Sequence, residues 1–124
     1  MLPATLPGLL ATFGALATLA LGLLGFLAPA RAAALVRLSA RTHPGPAEFR
    51  ATYGGLFIGL GLVPLLTGAD AAYLAAGAAW SGAALGRVAS LALDALGARA
   101  LNPRNWLAVA FEGGIGLLCL AVLF

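Results

Sequence analysis

The 124-residue chain has no lysine, one cysteine and one histidine, and only 9% of its residues are charged. A single cysteine, Cys119, excludes an intramolecular disulfide, and we interpret it as a small packing residue. His43 stands alone beside prolines, so zinc, haem and iron–sulfur sites lack the ligand sets they require, and we predict no metal site. All seven positive charges are arginines, and they are spread along the chain rather than gathered into one run, which does not indicate a nucleic-acid partner.

Apolar residues take the place of the missing charges. They make up 62% of the chain, and the mean hydropathy of +1.02 is typical of an integral membrane protein. A membrane-spanning helix needs about 20 apolar residues. Four stretches meet that length, at about residues 7–27, 47–66, 71–93 and 105–124. We therefore predict an all-α, integral membrane four-helix bundle that forms one domain over residues 1–124.

The first stretch ends in Ala28-Pro29-Ala30, which imitates the small-x-small site of a cleaved secretory leader. Residues 1–10 contain no lysine or arginine, whereas a leader begins with a positive region. We therefore expect the first stretch to be retained as a helix.

Residues 31–41, between the first two stretches, carry two kinds of side chain on different helical faces. Arg37 and Arg41 share one face, while Leu35 and Leu38 lie on another. This pattern predicts a short interfacial helix between helices 1 and 2.

Local signals mark the helix ends and the helix contacts. Asp70 is predicted to cap the third helix, because a carboxylate there meets free amides and the positive helix end. Asn102-Pro103 predicts an N-cap followed by proline at the first position of the fourth helix. Small residues predict close helix packing at these positions: Gly14, Gly22 and Gly25 in the first helix, and the GxxxG pairs Gly55/Gly59 and Gly82/Gly86.

The distribution of arginine predicts the orientation in the membrane. The first loop carries Arg31, Arg37 and Arg41, and the third carries Arg99 and Arg104, whereas the second loop and both chain ends carry none. The first and third loops should therefore face the cytoplasm. This places the chain in the bacterial inner membrane as a multi-pass protein with both termini periplasmic.

Two charged residues lie within the apolar stretches, Arg87 in the third and Glu112 in the fourth. A charge at the centre of a membrane helix costs about 2.5–3.5 kcal/mol on insertion scales, so such residues usually have a partner. Each lies seven residues from the third loop, at a depth of about 10 Å. Because a short loop makes the two helices antiparallel neighbours, we predict an Arg87–Glu112 ion pair, either as a structural lock or as part of a ligand site.

The second stretch adds polar groups near the same level. Glu48 and Arg50 lie at its start, and Tyr53 is long enough to present its hydroxyl there. The predicted binding residues are therefore Glu48, Arg50, Tyr53, Arg87 and Glu112, with Asp94 nearby. The third helix, rich in Ala and Gly, is expected at the bundle centre or against a partner protein. We expect Trp80 to face lipid or that partner, and Trp106 to anchor the membrane interface.

The run Glu48-Phe49-Arg50-Ala51-Thr52-Tyr53-Gly54-Gly55, followed by Gly86-Arg87 and a helix with Glu112, resembles the bacterial domain-of-unknown-function family DUF4345. The resemblance covers essentially the whole chain. It implies a small four-helix membrane protein, distantly similar to DoxX-type bundles, and carries no activity. The positions that match the family pattern are Glu48, Arg50, Tyr53, Gly54, Gly55, Arg87 and Glu112. Asp94 is followed by Ala95 where the pattern leads us to expect glycine.

Catalytic constellations are lacking: Ser81 and Ser90 have no histidine nearby in sequence, and Cys119 has no visible base. We therefore do not predict an enzyme or a cofactor. Three functions remain open. The first is an accessory or structural subunit that packs on a larger membrane complex. The second is a binding module for a lipid or quinone-like headgroup, and the third is a small proton-coupled transporter.

Overall fold

The structure, a computed structural model, describes residues 4–38, 45–93 and 102–124. These residues form helices and contain no strand, which confirms the all-α class. The predicted stretches closely match the four long helices. The helices are α1 (Leu6–Leu27), α2 (Pro29–Val36), α3 (Gly45–Thr67), α4 (Asp70–Leu93) and α5 (Pro103–Leu120), followed by a 3-10 turn, Ala121–Leu123.

Three of the described helices are long and apolar enough to cross a membrane: α1, α3, and α5 with its 3-10 extension, Pro103–Leu123. They indicate a membrane protein. The 24-residue α4 is also long enough, but Ala and Gly replace Leu and Ile along much of it, and it carries Asp70 and Arg87. It is therefore the least apolar of the long helices.

Helix α1 buries small side chains and exposes large ones, as expected where lipid rather than water surrounds the protein. On α1, Ala11, Ala15 and Gly22 are buried, while Leu9 and Phe13 are exposed. Small buried residues let helix backbones approach closely, so the gain in packing comes from many short contacts along each helix pair.

Helix α1 is the most enclosed of the three apolar helices. Of the 18-residue apolar stretch in each helix, 39% is buried in α1, 22% in α3 and 17% in the last helix. It packs on α3 along most of its length and on α5, and α4 packs mainly on α5. Among the described helices α1, and not the third long helix, therefore lies at the centre, and the other alternative for the third long helix, a place against a partner protein, stays a prediction.

Glycines at the α1–α3 interface explain the close approach of these two helices. A Cβ on Gly22 would lie 2.5 Å from the Ile58 nitrogen, and one on Gly25 would collide with the Tyr53 carbonyl. On α3, a Cβ on Gly61 would lie 2.5 Å from the Leu19 nitrogen. The predicted roles of Gly22 and Gly25 are therefore confirmed. A Cβ on Gly14 would likewise lie 2.8 Å from the Cys119 sulfur of α5, which confirms the third position.

The two GxxxG pairs do not pack on another helix among the described residues. A Cβ built on Gly59, Gly82 or Gly86 would meet no heavy atom within 4 Å among the described residues, and one on Gly55 would meet only the Arg50 carbonyl of its own helix. The prediction of close packing on these faces is wrong for the described part of the chain, because both faces point outward.

Capping at the helix starts follows the sequence signals in part. The Asn102 side chain accepts a 3.1 Å hydrogen bond from the Arg104 amide, and Pro103 is the first residue of α5, as predicted. Asp70 is instead the first residue within α4, after Ala69. Its carboxylate therefore lies in the first turn, near the positive helix end, and the N-cap prediction is shifted by one residue.

Part of the predicted interfacial helix is present as α2. It ends at Val36, and Arg37 follows in the left-handed conformation with φ of 57°. Ala32 and Ala33 are buried against Phe49 of α3, so α2 is fixed to the start of that helix. Its other side leaves Arg31, Leu35 and Val36 exposed, and Arg37 after it is exposed as well. The predictions for Arg41, His43, Asp94 and Arg99 lie outside the described residues.

Candidate functional site

Arg87 of α4 and Glu112 of α5 form a bidentate ion pair. The Arg87 Nε donates to Glu112 Oε2 at 2.9 Å, and Nη2 donates to Oε1 at 2.5 Å. The predicted juxtaposition is therefore present. The fork of a guanidinium matches a carboxylate in this geometry, which makes the pair directional as well as attractive.

Close packing of α4 and α5 brings these two side chains together. Gly116 of α5 faces Ser81 of α4 so closely that a Cβ on Gly116 would lie 2.7 Å from the Ser81 hydroxyl. One helical turn away, a Cβ on Gly77 would lie 3.1 Å from the Gly116 carbonyl. The small residues that lock this interface are thus different from those in the GxxxG pairs.

The two members of the pair are unequally enclosed. The Glu112 side chain is 13% exposed, whereas the Arg87 side chain is 39% exposed. The two hydrogen bonds use two of the five guanidinium N–H groups. Among the described residues, Glu112 is the only acceptor for the Arg87 side chain, so within that part of the chain N–H groups are left for a further acceptor.

Tyr53 contacts the ring of Phe57, which in turn contacts Trp80 on the same helix as Arg87. It belongs to Arg50–Leu56, a π-helical section inside α3, and its ring stacks on Phe49 with centroids 4.4 Å apart. A π-helical section is rare and often found at functional sites. Of the predicted site residues, the structure brings Arg87 and Glu112 into direct contact.

The other predicted residues have different places. The Arg50 Nε donates a 3.2 Å hydrogen bond to the Phe26 carbonyl near the end of α1. A cation there satisfies a terminal carbonyl and favours the negative end of the helix dipole, so Arg50 acts as a cap for α1. Glu48 is exposed in the first turn of α3. Among the described residues, Arg50 and Glu48 therefore make no hydrogen bond to the Arg87–Glu112 pair.

A row of five aromatic rings runs past the ion pair. Phe49, Tyr53 and Phe57 follow one another on α3, with centroids 4.4 and 5.8 Å apart. Phe57 meets Trp80 of α4 at 4.9 Å, and Trp80 meets Phe111 of α5 edge-on at 6.3 Å. The four-residue spacing on α3 is a signal that the sequence holds, whereas the contact with Trp80 depends on the fold.

We call Tyr53, Arg87, Glu112 and Phe111 together the Tyr53–Arg87 site. The π-helical section packs on α1 and α2, and among the described residues it has no extensive packing on α4 or α5. The ring contact between Phe57 and Trp80 connects the α3 side of the site with the α4 side. Phe111, next to Glu112 on α5, is half-exposed.

Trp80 does not face lipid or a partner, contrary to the expectation from the sequence. Its side chain is 6% exposed, and its indole Nε1 donates a 2.9 Å hydrogen bond to the Thr18 hydroxyl of α1. Thr18 in turn donates to the Gly14 carbonyl at 2.8 Å. Trp106, half-exposed in the first turn of α5, has the exposure expected of an interfacial anchor.

The structure thus defines an all-helical protein with three apolar helices of membrane-spanning length and a partly exposed Arg–Glu pair between two long helices. Residues 8–123 match the family described as Domain of unknown function (DUF4345), and the chain belongs to this family. No curated protein matches the chain, and no solved structure does.

Proposed function

We propose that the chain is a four-helix bundle in the bacterial inner membrane, with the first and third loops cytoplasmic and both termini periplasmic. The exposed Arg31, Arg37 and Arg104 support this orientation through the excess of positive charge on cytoplasmic loops. Helix α4 is less apolar than the others and gains support from its hydrogen bond to α1 and its ion pair with α5. Such contacts let a marginal helix remain in a bilayer.

Within this bundle, we propose that the Tyr53–Arg87 site makes the protein a non-catalytic binding module for a lipid-phase molecule. The observation that carries the proposal is the 39% exposure of an Arg87 side chain with donors that no described residue uses. At about 9 Å from the end of α4, such donors are costly to leave facing acyl chains. A ligand with an oxygen acceptor satisfies them.

Native mass spectrometry of protein released from mild detergent tests this proposal. The wild-type protein is expected to retain a defined small molecule, and the double variant Arg87→Leu/Glu112→Leu is expected to lose it. Arg31→Gln is the matched control, because it removes an exposed arginine that lies outside the Tyr53–Arg87 site. Equal retention by the double variant, or no retained molecule in the wild type, would contradict the binding role.

A second role, as an accessory subunit of a larger membrane complex, is favoured by the outward face of α4. On α1 the exposed residues include Leu9, Phe13, Leu16 and Leu23, whereas α4 exposes mainly Ala and Gly, including Ala79, Gly82 and Gly86. Small outward residues fill little space against lipid and permit close approach of another helix. This role and ligand binding use different surfaces and are compatible.

Photo-crosslinking in the native membrane tests the accessory role. A photoreactive residue at position 79 is expected to form an adduct with one defined membrane protein that also co-purifies with the chain. The same residue at position 13, on the lipid-facing side of α1, should label lipid alone. The bulky change Gly82→Leu should abolish the adduct at position 79. Lipid adducts at both positions would contradict the accessory role.

A further inference from the structure

We infer that α2 and the two residues after it form a surface that binds the anionic phospholipid headgroups of the cytoplasmic leaflet. We call this surface, made of Arg31, Leu35, Val36, Arg37 and Leu38, the α2 surface. It shares no residue with the Tyr53–Arg87 site and needs no ligand there. The choice of leaflet rests on the proposed orientation, whereas the preference for anionic headgroups rests on the side chains that α2 exposes.

One side of α2 is fixed to the membrane-spanning helices. Ala32 and Ala33 are buried, and they form a hydrophobic cluster with Phe49 of α3. Leu24 of α1 and Tyr53 of α3 pack against this cluster. Helix α2 is therefore held at the end of α1 and the start of α3, and its remaining side chains point away from that contact.

The exposed part of α2 combines large apolar side chains with arginine. Leu35 is 70% exposed, Val36 48% and Leu38 51%. Arg31 is exposed one helical turn before Leu35, on the same face. Apolar side chains of this size gain free energy by leaving water, while an arginine keeps its guanidinium at polar groups. This combination fits a helix at the boundary between headgroups and acyl chains.

The end of α2 fixes the last two residues of the α2 surface. Arg37 has a φ of 57°, and its amide donates a 3.3 Å hydrogen bond to the Ala34 carbonyl. The Leu38 amide donates to the Ala33 carbonyl at 2.9 Å. These two bonds form a Schellman motif, in which glycine is the usual left-handed residue. Arginine there places a cation at the negative end of the helix, beside the apolar side chain of Leu38.

The charges at this end of the bundle favour an anionic lipid over a zwitterionic one. Among the described residues, one acidic side chain, Glu48, stands there against four exposed arginines: Arg31, Arg37, Arg50 and Arg104. The opposite end carries Asp70 and, in the described part of the chain, no arginine. Surface arginines next to a bilayer attract anionic headgroups, and each adds to the attraction. The α2 surface therefore has both the apolar contact and the charge that an anionic phospholipid requires.

Quenching of a fluorescent label in reconstituted bilayers tests the inference. The label is attached to Leu35→Cys in a Cys119→Ala background, because Cys119 is the single cysteine of the chain and is fully buried. Vesicles of phosphatidylcholine receive spin-labelled phosphatidylglycerol or spin-labelled phosphatidylcholine at equal mole fraction. The anionic quencher is expected to be about twofold or more as effective as the zwitterionic one at low salt. Added salt should reduce this ratio, because the arginines are exposed.

Variants of the two arginines separate charge from apolar contact. Arg31→Gln/Arg37→Gln is expected to bring the quenching ratio close to one, whereas Arg31→Lys/Arg37→Lys should keep it. Both side chains are exposed, so the variants should fold, and melting temperatures check this. A label on Leu9→Cys is the matched control, because Leu9 is half-exposed near the start of α1, at the opposite end of the bundle. Its quenching ratio should not exceed one.

A ratio of one at position 35 in the wild type, or an unchanged ratio in the glutamine variant, would overturn the inference. Quenching of this label by aqueous iodide but by neither lipid would also overturn it, and would leave the α2 surface for a soluble protein partner. These outcomes do not depend on the orientation, since the vesicles carry both lipids in both leaflets. Labelling at position 35 by a membrane-impermeant maleimide added to intact spheroplasts would overturn the cytoplasmic leaflet and the proposed orientation together.

Discussion

Trp80 of α4 and Thr18 of α1 join two helices through a buried hydrogen bond of 2.9 Å between the indole nitrogen and the hydroxyl. The Thr18 side chain is fully buried, and the same hydroxyl donates to the Gly14 carbonyl. The ring of Trp80 also connects Phe57 of α3 with Phe111 of α5. One side chain therefore contacts each of the other three long helices at about the middle of its own helix.

Replacing Trp80 should weaken this connection. Trp80→Phe is expected to lower the free energy of unfolding by about 0.5–1.5 kcal/mol from the lost interhelical hydrogen bond, with a further loss from the smaller ring. Trp106→Phe, at a half-exposed position, is the control and should change stability little. Unfolding in mixed micelles with increasing denaturing detergent measures both. Equal effects of the two changes would contradict the role of the Trp80 hydrogen bond.

The unequal enclosure of the ion pair predicts an unequal response to single changes. Arg87→Leu leaves the Glu112 carboxylate enclosed without its partner, and it should cost about 2–3 kcal/mol, less than the 3–5 kcal/mol of a fully buried pair. Glu112→Leu should cost less, because the partly exposed Arg87 can extend toward the membrane surface.

The double variant completes this thermodynamic cycle. Arg87→Leu/Glu112→Leu should recover much of the lost stability, because it leaves no unpaired charge. The four proteins are compared by the same unfolding titration. Additive losses in the double variant would show that the two side chains act independently in the membrane, against the geometry of the pair.

A glycine-to-alanine change should affect stability differently at a position that faces another helix and at one that faces outward. Gly25→Ala places a methyl group against the Tyr53 carbonyl, and it is expected to lower stability by about 1–3 kcal/mol as helices α1 and α3 move apart. Gly82→Ala meets open space and should be neutral or stabilising by up to about 1 kcal/mol in the purified chain. Melting temperatures measure both, and a larger loss for Gly82→Ala would contradict the assigned interfaces.

Arg50 should behave as a helix cap and not as a ligand residue. Arg50→Gln is expected to lower stability by about 0.5–1 kcal/mol, since the Phe26 carbonyl loses a charged donor at the end of α1. Retention of the bound small molecule in native mass spectrometry should match that of the wild type. Loss of that molecule with unchanged stability would instead place Arg50 in the ligand site.

The Arg87–Glu112 pair was predictable from spacing alone. Both residues lie seven positions from a short loop, and a rise of about 1.5 Å per residue brings them to the same depth on antiparallel helices. The cap at Asn102 was predictable for a similar reason, since it depends on neighbouring backbone groups. The hydrogen bond of Arg50 was not predictable, because its partner Phe26 is 24 residues away on another helix.

Local rules of composition and spacing account for the helical class, the positions of the four long helices and the shared depth of the two charges. Only the assembled helices decided which glycines pack on a neighbouring helix. They also decided that Trp80 is buried against Thr18. The sequence pattern of a glycine pair is the same whether its face contacts a helix or lipid. A contact such as Trp80 to Thr18 joins residues 62 positions apart, so it leaves no periodic trace in either segment.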